Sequence, residues 1–200
     1  MRKAKRLNRE ESQVRTRELL MRSAAACFAR LGFDGTSVDE IAENAGFSRG
    51  AFYSNFADKE EVFFTLLQRH LDRDLRDFEA ILSESLSFEM VAEKVVGRYR
   101  ELGDSPDWCL LTAEFQLRVS RARKGDDALT QLYADYRSAV SRGIELAFTR
   151  FGKKGRLTPA ELAVSLIALA NGLALERAAS RNTLPMALTG KAMMALFSGL

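Results

Sequence analysis

The segment from Thr36 to Lys59, TSVDEIAENAGFSRGAFYSNFADK, places the tightest constraint on the fold. Ser37 and Glu40 stand at capping-box spacing, in which the serine hydroxyl and the glutamate carboxylate each satisfy a free N–H group at the start of a helix. Gly46 ends this helix, and Ser48 can cap a second one. Two short helices joined by a turn that contains glycine predict a helix-turn-helix. In such a motif the second helix lies in the major groove of DNA, with its N-terminal side chains near the base edges.

The second helix of this motif supplies the candidates for reading bases. Because a guanidinium can pair bidentately with guanine O6 and N7, Arg49 is the candidate for direct readout, with a plain phosphate or solvent contact as the alternative. Gly50 removes bulk where the backbone approaches DNA, unless it is simply a tolerated glycine at a helix start. The residues predicted to lie nearest to the base edges are Ser48, Arg49, Gly50, Ala51 and Phe52.

Phosphate contacts are predicted at two other helix starts and in the N-terminal arm. Free N–H groups and the helix dipole favour a phosphate near Thr36 and Ser37, and a capping role is compatible with that contact. Lys59 begins the next helix, where a lysine opposes the helix dipole unless it has an anionic partner. Within the first 22 residues, eight lysines and arginines outnumber three glutamates. This basic arm suits phosphate or minor-groove contact, although a basic stretch alone is also typical of a solvated N-terminus.

Helical periodicity without sustained strand alternation predicts an all-α chain of about nine helices. Besides the helix-turn-helix, we expect helices over about residues 11–31, 58–82, 88–102, from 106, from 126 or 127 to 151, 159–180 and 185–197. With 46% hydrophobic residues in 200, the chain can bury a sizeable core. We expect a DNA-binding domain over residues 1–60, made of three helices and the basic arm, and a larger helical domain over residues 61–200.

The predicted helix from Pro159 to Ser180 is apolar on much of its circumference. A helix of this kind cannot face water, so it is either enclosed by its own chain or shared with a second copy. Its small residues, among them Ala168 and Gly172, allow another helix to approach closely. We therefore predict a two-fold interface formed by the last two helices, with an internal core helix as the alternative. The most apolar stretch, Leu162 to Leu175, is predicted to be too short to span a bilayer.

The residues around the helix-turn-helix also carry a family resemblance. The pattern resembles the DNA-binding domain of the TetR (TetR/AcrR) family of bacterial transcription regulators, over about residues 12–64. The matching residues, in chain order, are Ala24, Phe28, Gly32, Phe33, Thr36-Ser37-Val38, Ile41-Ala42, Ala45-Gly46-Phe47-Ser48, Tyr53, Phe56 and Lys59. The resemblance implies a phosphate contact from the Tyr53 hydroxyl. Asn55 stands where many members carry histidine, and an asparagine can also hydrogen-bond a phosphate or cap a helix end.

The resemblance further implies a C-terminal domain that binds an effector and dimerises through its last helix pair. Aromatic residues spread between about residues 70 and 155 could line a cavity for a lipophilic or aromatic ligand, or could form ordinary core. The candidate pocket residues are Tyr99, Trp108, Phe115, Tyr136 and Asn171. Because the helical pattern from Asp58 to Leu82 is unbroken, a ligand that moves this helix would change the spacing of the two recognition helices.

Catalysis and metal binding are not expected. The chain offers no nucleophile–base–acid set, and His70 is its only histidine. Thr189-Gly190-Lys191 does not complete a P-loop, because Ala192 replaces the required hydroxyl residue. Cys27 and Cys109 lie in apolar patterns and are predicted to be core residues rather than a disulfide. We expect no cofactor.

The sequence as a whole predicts a cytoplasmic, sequence-specific DNA-binding transcriptional regulator that is not an enzyme. We expect a repressor that binds an inverted-repeat operator in double-stranded DNA as a homodimer and is released by a small lipophilic or aromatic effector. The alternatives are an activator or a ligand-independent regulator of the same fold, and a helical protein-interaction module without DNA binding. No membrane partner is expected.

Overall fold

The computed structural model describes residues 9–84, 87–102, 106–121, 127–180, 183–185 and 187–197, and this part of the chain contains nine α-helices and no strands. The all-α prediction is confirmed. The basic arm before Arg9 and the side chains of Tyr99, Trp108 and Cys109 lie outside the described residues. The helices are α1 (Arg9–Gly35), α2 (Val38–Asn44), α3 (Arg49–Tyr53), α4 (Lys59–Ser83), α5 (Phe88–Leu102), α6 (Pro106–Arg121), α7 (Asp127–Phe151), α8 (Pro159–Ala179) and α9 (Ala187–Phe197).

Capping boxes start α2 and α8, as the sequence predicts. At α2, the Glu40 N–H donates to the Ser37 hydroxyl at 3.2 Å and the Ser37 N–H donates to the Glu40 carboxylate at 2.9 Å. The same pair of bonds joins Thr158 and Glu161, at 3.2 and 2.8 Å. Because each carboxylate accepts a backbone N–H bond in its charged form, these bonds lower the pKa of Glu40 and of Glu161.

A break at Gly32 interrupts α1 near its end. Gly32 has φ 74° and ψ 170°, a backbone conformation that glycine adopts readily and that a helix excludes. Its carbonyl accepts a hydrogen bond from the Thr36 hydroxyl at 2.7 Å instead of continuing the helical ladder. The predicted helix end at Leu31 is therefore the last residue before the break.

The chain divides into two compact units, of which the first ends at Gln68 and the second begins at Arg69. This division falls inside α4, so the start of that helix belongs to the first unit and its remainder to the second.

The first unit has an aromatic core. The Phe28 and Phe33 rings of α1 stack with centroids 5.3 Å apart, and the Phe63 ring of α4 meets them edge-on at 5.6 and 5.0 Å. Arg17 adds a polar connection: its guanidinium lies 3.9 Å from the centroid of the Phe56 ring and donates to the Asn55 carbonyl and, at 3.2 Å, to the Glu61 carboxylate. The end of α3 and the start of α4 are thereby held against α1.

A partly buried ionic cluster ties α4 to α5 in the second unit. Arg98 donates from Nε to Asp77 at 2.7 Å and from Nη2 to Asp74 at 3.1 Å, and His70 Nε2 lies 3.6 Å from Asp74. Burial lowers the pKa of His70 to about 4, so its imidazole is uncharged at neutral pH. Burial also raises the pKa of Asp74 to about 6, against the opposing pull of the Arg98 charge.

The helix α8 combines apolar composition with little burial. Among the described residues it is the one helix that is long and apolar enough to cross a membrane by length and composition alone, with 21 residues and a mean hydropathy of 1.4 over its most apolar window. The apolar stretch from Leu162 to Leu175 is shorter than the helix that contains it, which begins after the Thr158 cap and continues to Ala179. A core helix passes the same test, yet only 28% of that window is buried within the chain.

Two helical glycines of the second unit allow a test of the packing. A Cβ at Gly143 on α7 would lie 2.3 Å from the Phe78 ring of α4, whereas a Cβ at Gly97 on α5 would meet nothing within 4 Å. Gly143→Ala should lower the free energy of unfolding by about 1–3 kcal/mol, because overpacking displaces the ring. Gly97→Ala should instead raise it by about 0.5–1 kcal/mol through helix propensity. Urea unfolding of both variants checks this, and equal effects would contradict the close α4–α7 approach.

Candidate nucleic-acid interface and second-unit cavities

The helix-turn-helix forms as predicted because each local signal is satisfied. Gly46 takes φ 77°, and the N–H groups of Gly46 and Phe47 bond back to α2 carbonyls, both at 2.9 Å. Ser48 then caps α3, accepting from the Ala51 N–H at 3.2 Å. The helices have only seven and five residues, so their positions depend on the packing of α2 against α1 and of α3 against α2, as well as on their own caps.

The two faces of α3 differ sharply. Ser48, Arg49, Gly50 and Tyr53 are exposed, and Ala51 is half-buried. Phe52 has no exposed surface. The prediction that the Phe52 side chain contacts DNA is corrected here, because its ring is fully buried within the protein and cannot reach a duplex. The exposed side chains form one polar face, which we call the α3 face, defined by Ser48, Arg49, Gly50 and Tyr53.

Arg49 already has partners within the protein. Its Nη1 donates to the Asp39 carboxylate of α2 at 3.0 Å, and its Nη2 donates to the Tyr53 hydroxyl at 3.4 Å. The guanidinium carbon lies 5.6 Å from the centroid of the Tyr53 ring. The hydrogen bond to Tyr53 and the charge of Asp39 raise the pKa of Arg49. Asp39 is a residue that the sequence patterns missed, because nothing local connects it to a side chain ten positions away.

Thr36, Ser37 and Lys59 have internal partners. Thr36 is buried, and its N–H donates to the Phe33 carbonyl at 3.3 Å. The Lys59 ammonium donates to the carbonyls of Phe33 and Thr36, both at 2.9 Å, and lies 4.5 Å from the centroid of the Phe33 ring. A carbonyl near the end of α1 and the one just after this helix therefore partner this charge within the protein. Phosphate contacts from these three residues remain predictions.

Asn55 lies two residues beyond α3 and bonds back to its last turn. Its Nδ2 donates to the Ala51 carbonyl at 2.8 Å, and its own carbonyl accepts from Arg17. Its Oδ1 is buried and has no hydrogen-bond partner among the described residues. The helix-capping role that an asparagine can take here is thus present, whereas a phosphate contact remains a prediction.

The described part of the basic arm divides by role. Arg9, Arg15 and Arg22 are exposed along α1, whereas Arg17 is half-buried and used in packing. Sequence alone does not separate these two groups, because all four lie on one helix with the same side-chain type.

The three predicted effector residues whose side chains the structure describes, Phe115, Tyr136 and Asn171, do not line one common cavity. Asn171 lines a cavity of about 350 Å³ between α6, α7 and α8, together with Gln116 and Tyr133, which share a hydrogen bond of 2.6 Å. Tyr136 lines a small separate cavity beside Asp74 and Arg98, and Phe115 is fully buried. A larger groove of about 410 Å³ runs between α4 and α7, lined by Leu75, Phe78, Leu82, Arg142, Leu146 and Phe151 among others. Phe115, Tyr136 and Asn171, the candidate pocket residues whose side chains the structure describes, do not line this groove.

Comparisons with known proteins agree with this architecture. The family model for bacterial regulatory proteins of the tetR family matches residues 20–66. The HTH-type transcriptional repressor AcnR of Corynebacterium diphtheriae is 36% identical over 147 residues, which cover 74% of this chain and 70% of the relative.

Solved structures of low sequence identity share the fold. FadR of Bacillus subtilis, in complex with stearoyl-CoA, is 15% identical and superimposes with a TM-score of 0.75 over 92% of this chain and 98% of that chain. The complex of SmeT from Stenotrophomonas maltophilia with triclosan is 19% identical, with a TM-score of 0.67 over 90% and 88%.

The matched residues 20–66 run from the core of α1 through the helix-turn-helix into α4, the elements that present the α3 face. The similarity to AcnR extends well beyond them, over 147 residues. The chain belongs to the TetR family of bacterial regulatory proteins and is a DNA-binding transcriptional regulator.

Proposed function

We propose that the protein is a repressor that inserts α3 into the major groove of a palindromic operator and is released by a small lipophilic molecule. The main observation in support of DNA binding is the exposed α3 face. The buried rings of Phe52 and Phe56 fix this helix in the first unit. The name of the relative AcnR supports repression. Such a regulator works in the cytoplasm, where its operator is.

On the α3 face, Arg49 is the side chain suited to a base edge. A guanidinium contacts guanine O6 and N7 through two N–H groups. The Tyr53 hydroxyl, which is exposed on the same face, is suited to a phosphate oxygen. Phosphate contacts set the register and the salt dependence of binding, whereas base contacts set the sequence that is bound.

The low burial of α8 supports a homodimer. On α8, Val164 and Leu175 are 48% and 42% exposed, and Leu188 on α9 is 37% exposed. Ala168 and Gly172, which are small and exposed, lie on α8 between them. Association of α8 and α9 with a second copy would remove this apolar surface from water. A two-fold dimer presents two recognition helices about 34–36 Å apart, one turn of DNA.

For the effector, we propose a site in the second unit. The groove between α4 and α7 is the better candidate, with a mostly apolar lining that includes Arg142 and Arg150. The cavity that contains Asn171 is lined in part by Val164, Ala168, Gly172 and Leu175, which belong to the proposed dimer surface. The solved structures of FadR and SmeT are complexes with stearoyl-CoA and with triclosan, respectively. Since α4 contributes residues to both units, a ligand beside it can bias DNA binding by on the order of 1–3 kcal/mol. An operator complex that stays intact with both saturating stearoyl-CoA and triclosan would argue against these ligand classes.

The first experiment selects a binding sequence from a random duplex library with the wild-type protein, and then measures affinity by fluorescence anisotropy against a scrambled duplex at equal salt. Selection of an inverted repeat supports the proposal. Selection of no sequence would overturn it.

Gly50→Ala tests whether the backbone at Gly50 approaches DNA closely or whether this glycine is simply tolerated at a helix start. A Cβ at Gly50 would meet only the Ser48 hydroxyl oxygen, at 3.7 Å, so the folded protein accommodates it. The variant should melt at or above the wild-type temperature. It should nevertheless bind the selected duplex more weakly by about 1–3 kcal/mol, comparable to one lost base contact. Unchanged affinity would show that DNA does not approach the backbone here.

Val164→Glu tests the dimer. The substitution places a charge within the proposed interface, so the protein should sediment as a monomer at micromolar concentration. Its operator affinity should fall by roughly 10²–10⁴-fold, because the second half-site no longer binds intramolecularly.

Met90→Glu on α5 is the matched control, since Met90 is 47% exposed and lies outside α8 and α9. It should leave both the sedimentation and the affinity unchanged. A dimeric Val164→Glu protein with full affinity would place the interface elsewhere.

A further inference from the structure

An exposed ion pair joins the two helices of the helix-turn-helix. Asp39, in the first turn of α2, accepts from Arg49 Nη1 at 3.0 Å, and the two side chains are 54% and 61% exposed. Arg49 is the first residue of α3, and its Nη2 also donates to the Tyr53 hydroxyl at 3.4 Å. The side chain best suited to read a base is therefore tied to a carboxylate on the neighbouring helix.

The arrangement leaves enough donors for a guanine. A guanidinium carries five N–H donors, two on each Nη and one on Nε. Asp39 uses one hydrogen of Nη1 and Tyr53 uses one hydrogen of Nη2. One hydrogen on each Nη and the Nε hydrogen remain, and a bidentate pair with guanine O6 and N7 needs two. The donor count therefore allows Arg49 to contact a guanine while it stays bonded to Asp39.

A phosphate contact is affected differently. Binding to DNA of any sequence depends on neutralising phosphates with positive charge. The Asp39 carboxylate offsets the Arg49 charge and also repels phosphates itself. The attraction of this part of the surface to random DNA is therefore reduced, while the directional hydrogen bonds to a guanine are kept.

We propose that Asp39 is a specificity-determining positioning residue, which orients Arg49 for a guanine and weakens its use as a phosphate contact. Asp39 itself touches no base in this role. The inference rests on the proposed function, in which α3 reads the major groove. It predicts that the carboxylate increases the ratio of operator affinity to random-DNA affinity rather than affinity in general.

The test compares Asp39→Asn with Glu43→Gln. Glu43 lies on the same helix, is exposed and makes no ion pair among the described residues, so each variant removes one negative charge from α2. Affinities are measured by anisotropy for the selected duplex and for its scrambled counterpart, over a range of salt concentrations. Thermal melting of each variant checks that the fold is intact.

Glu43→Gln should raise both affinities by the same factor and leave their ratio unchanged. Asp39→Asn should tighten binding to the scrambled duplex and steepen its salt dependence, since a freed Arg49 adds about one phosphate contact. It should not tighten operator binding in proportion. The ratio should fall about three- to tenfold, part of the roughly ten- to hundredfold discrimination that one bidentate contact supplies.

The same affinities are then measured for Arg49→Ala alone and for Arg49→Ala combined with Asp39→Asn, which completes a double-mutant cycle. In the Arg49→Ala background, Asp39→Asn should no longer change the ratio, because the side chain that it positions is gone. Equal ratios for Asp39→Asn and Glu43→Gln would overturn the inference, as would an Asp39→Asn effect that survives Arg49→Ala. In both cases wild-type selectivity for the operator would still stand. A wild type without selectivity would overturn the proposed function and this inference together.

Discussion

The ring contacts among Phe28, Phe33 and Phe63 hold the DNA-binding unit together. A helix of five residues such as α3 is unstable alone. The conformational entropy lost in fixing the backbone angles of its first turn exceeds the stabilisation from its few hydrogen bonds. Its stability must come from packing. The cluster joins both ends of the unit, two rings from α1 and one from α4, and α2 and α3 lie along the chain between them. The exposed residues of α3 can therefore be few and polar, since the buried ones keep the helix in place.

Positive charge is used in two ways in this unit. Arg17 and Lys59 bond to backbone carbonyls and to a ring, and so contribute to the fold. Arg49 and the exposed arginines of α1 remain on the surface, where DNA can reach them. A count of basic residues does not distinguish the two groups. A net charge of only +3 is compatible with DNA binding, because the position of the exposed arginines matters more than the total charge of the chain.

Local signals made the helices predictable. A capping box requires residues three apart, so Ser37–Glu40 and Thr158–Glu161 could be identified from sequence, and the predicted helix ends fall close to the observed ones. Contacts between distant residues could not be identified in this way. Helical spacing places Phe52 on α3, but only the packed structure shows that its ring turns inward. Asp39 and Arg49 meet across a turn, and the residues of each second-unit cavity come from more than one helix, so neither arrangement produces a periodic pattern in the sequence.

The position of Lys59 has a consequence for chemical labelling. Its ammonium is enclosed by two carbonyls and an aromatic ring, and an amine must leave such a site before it can attack an acylating reagent. The rate at which Lys59 reacts therefore reports how often the end of α1 opens, in contrast to lysines whose amines lie in water. One native amine thus provides an intrinsic reporter of local opening beside the helix-turn-helix.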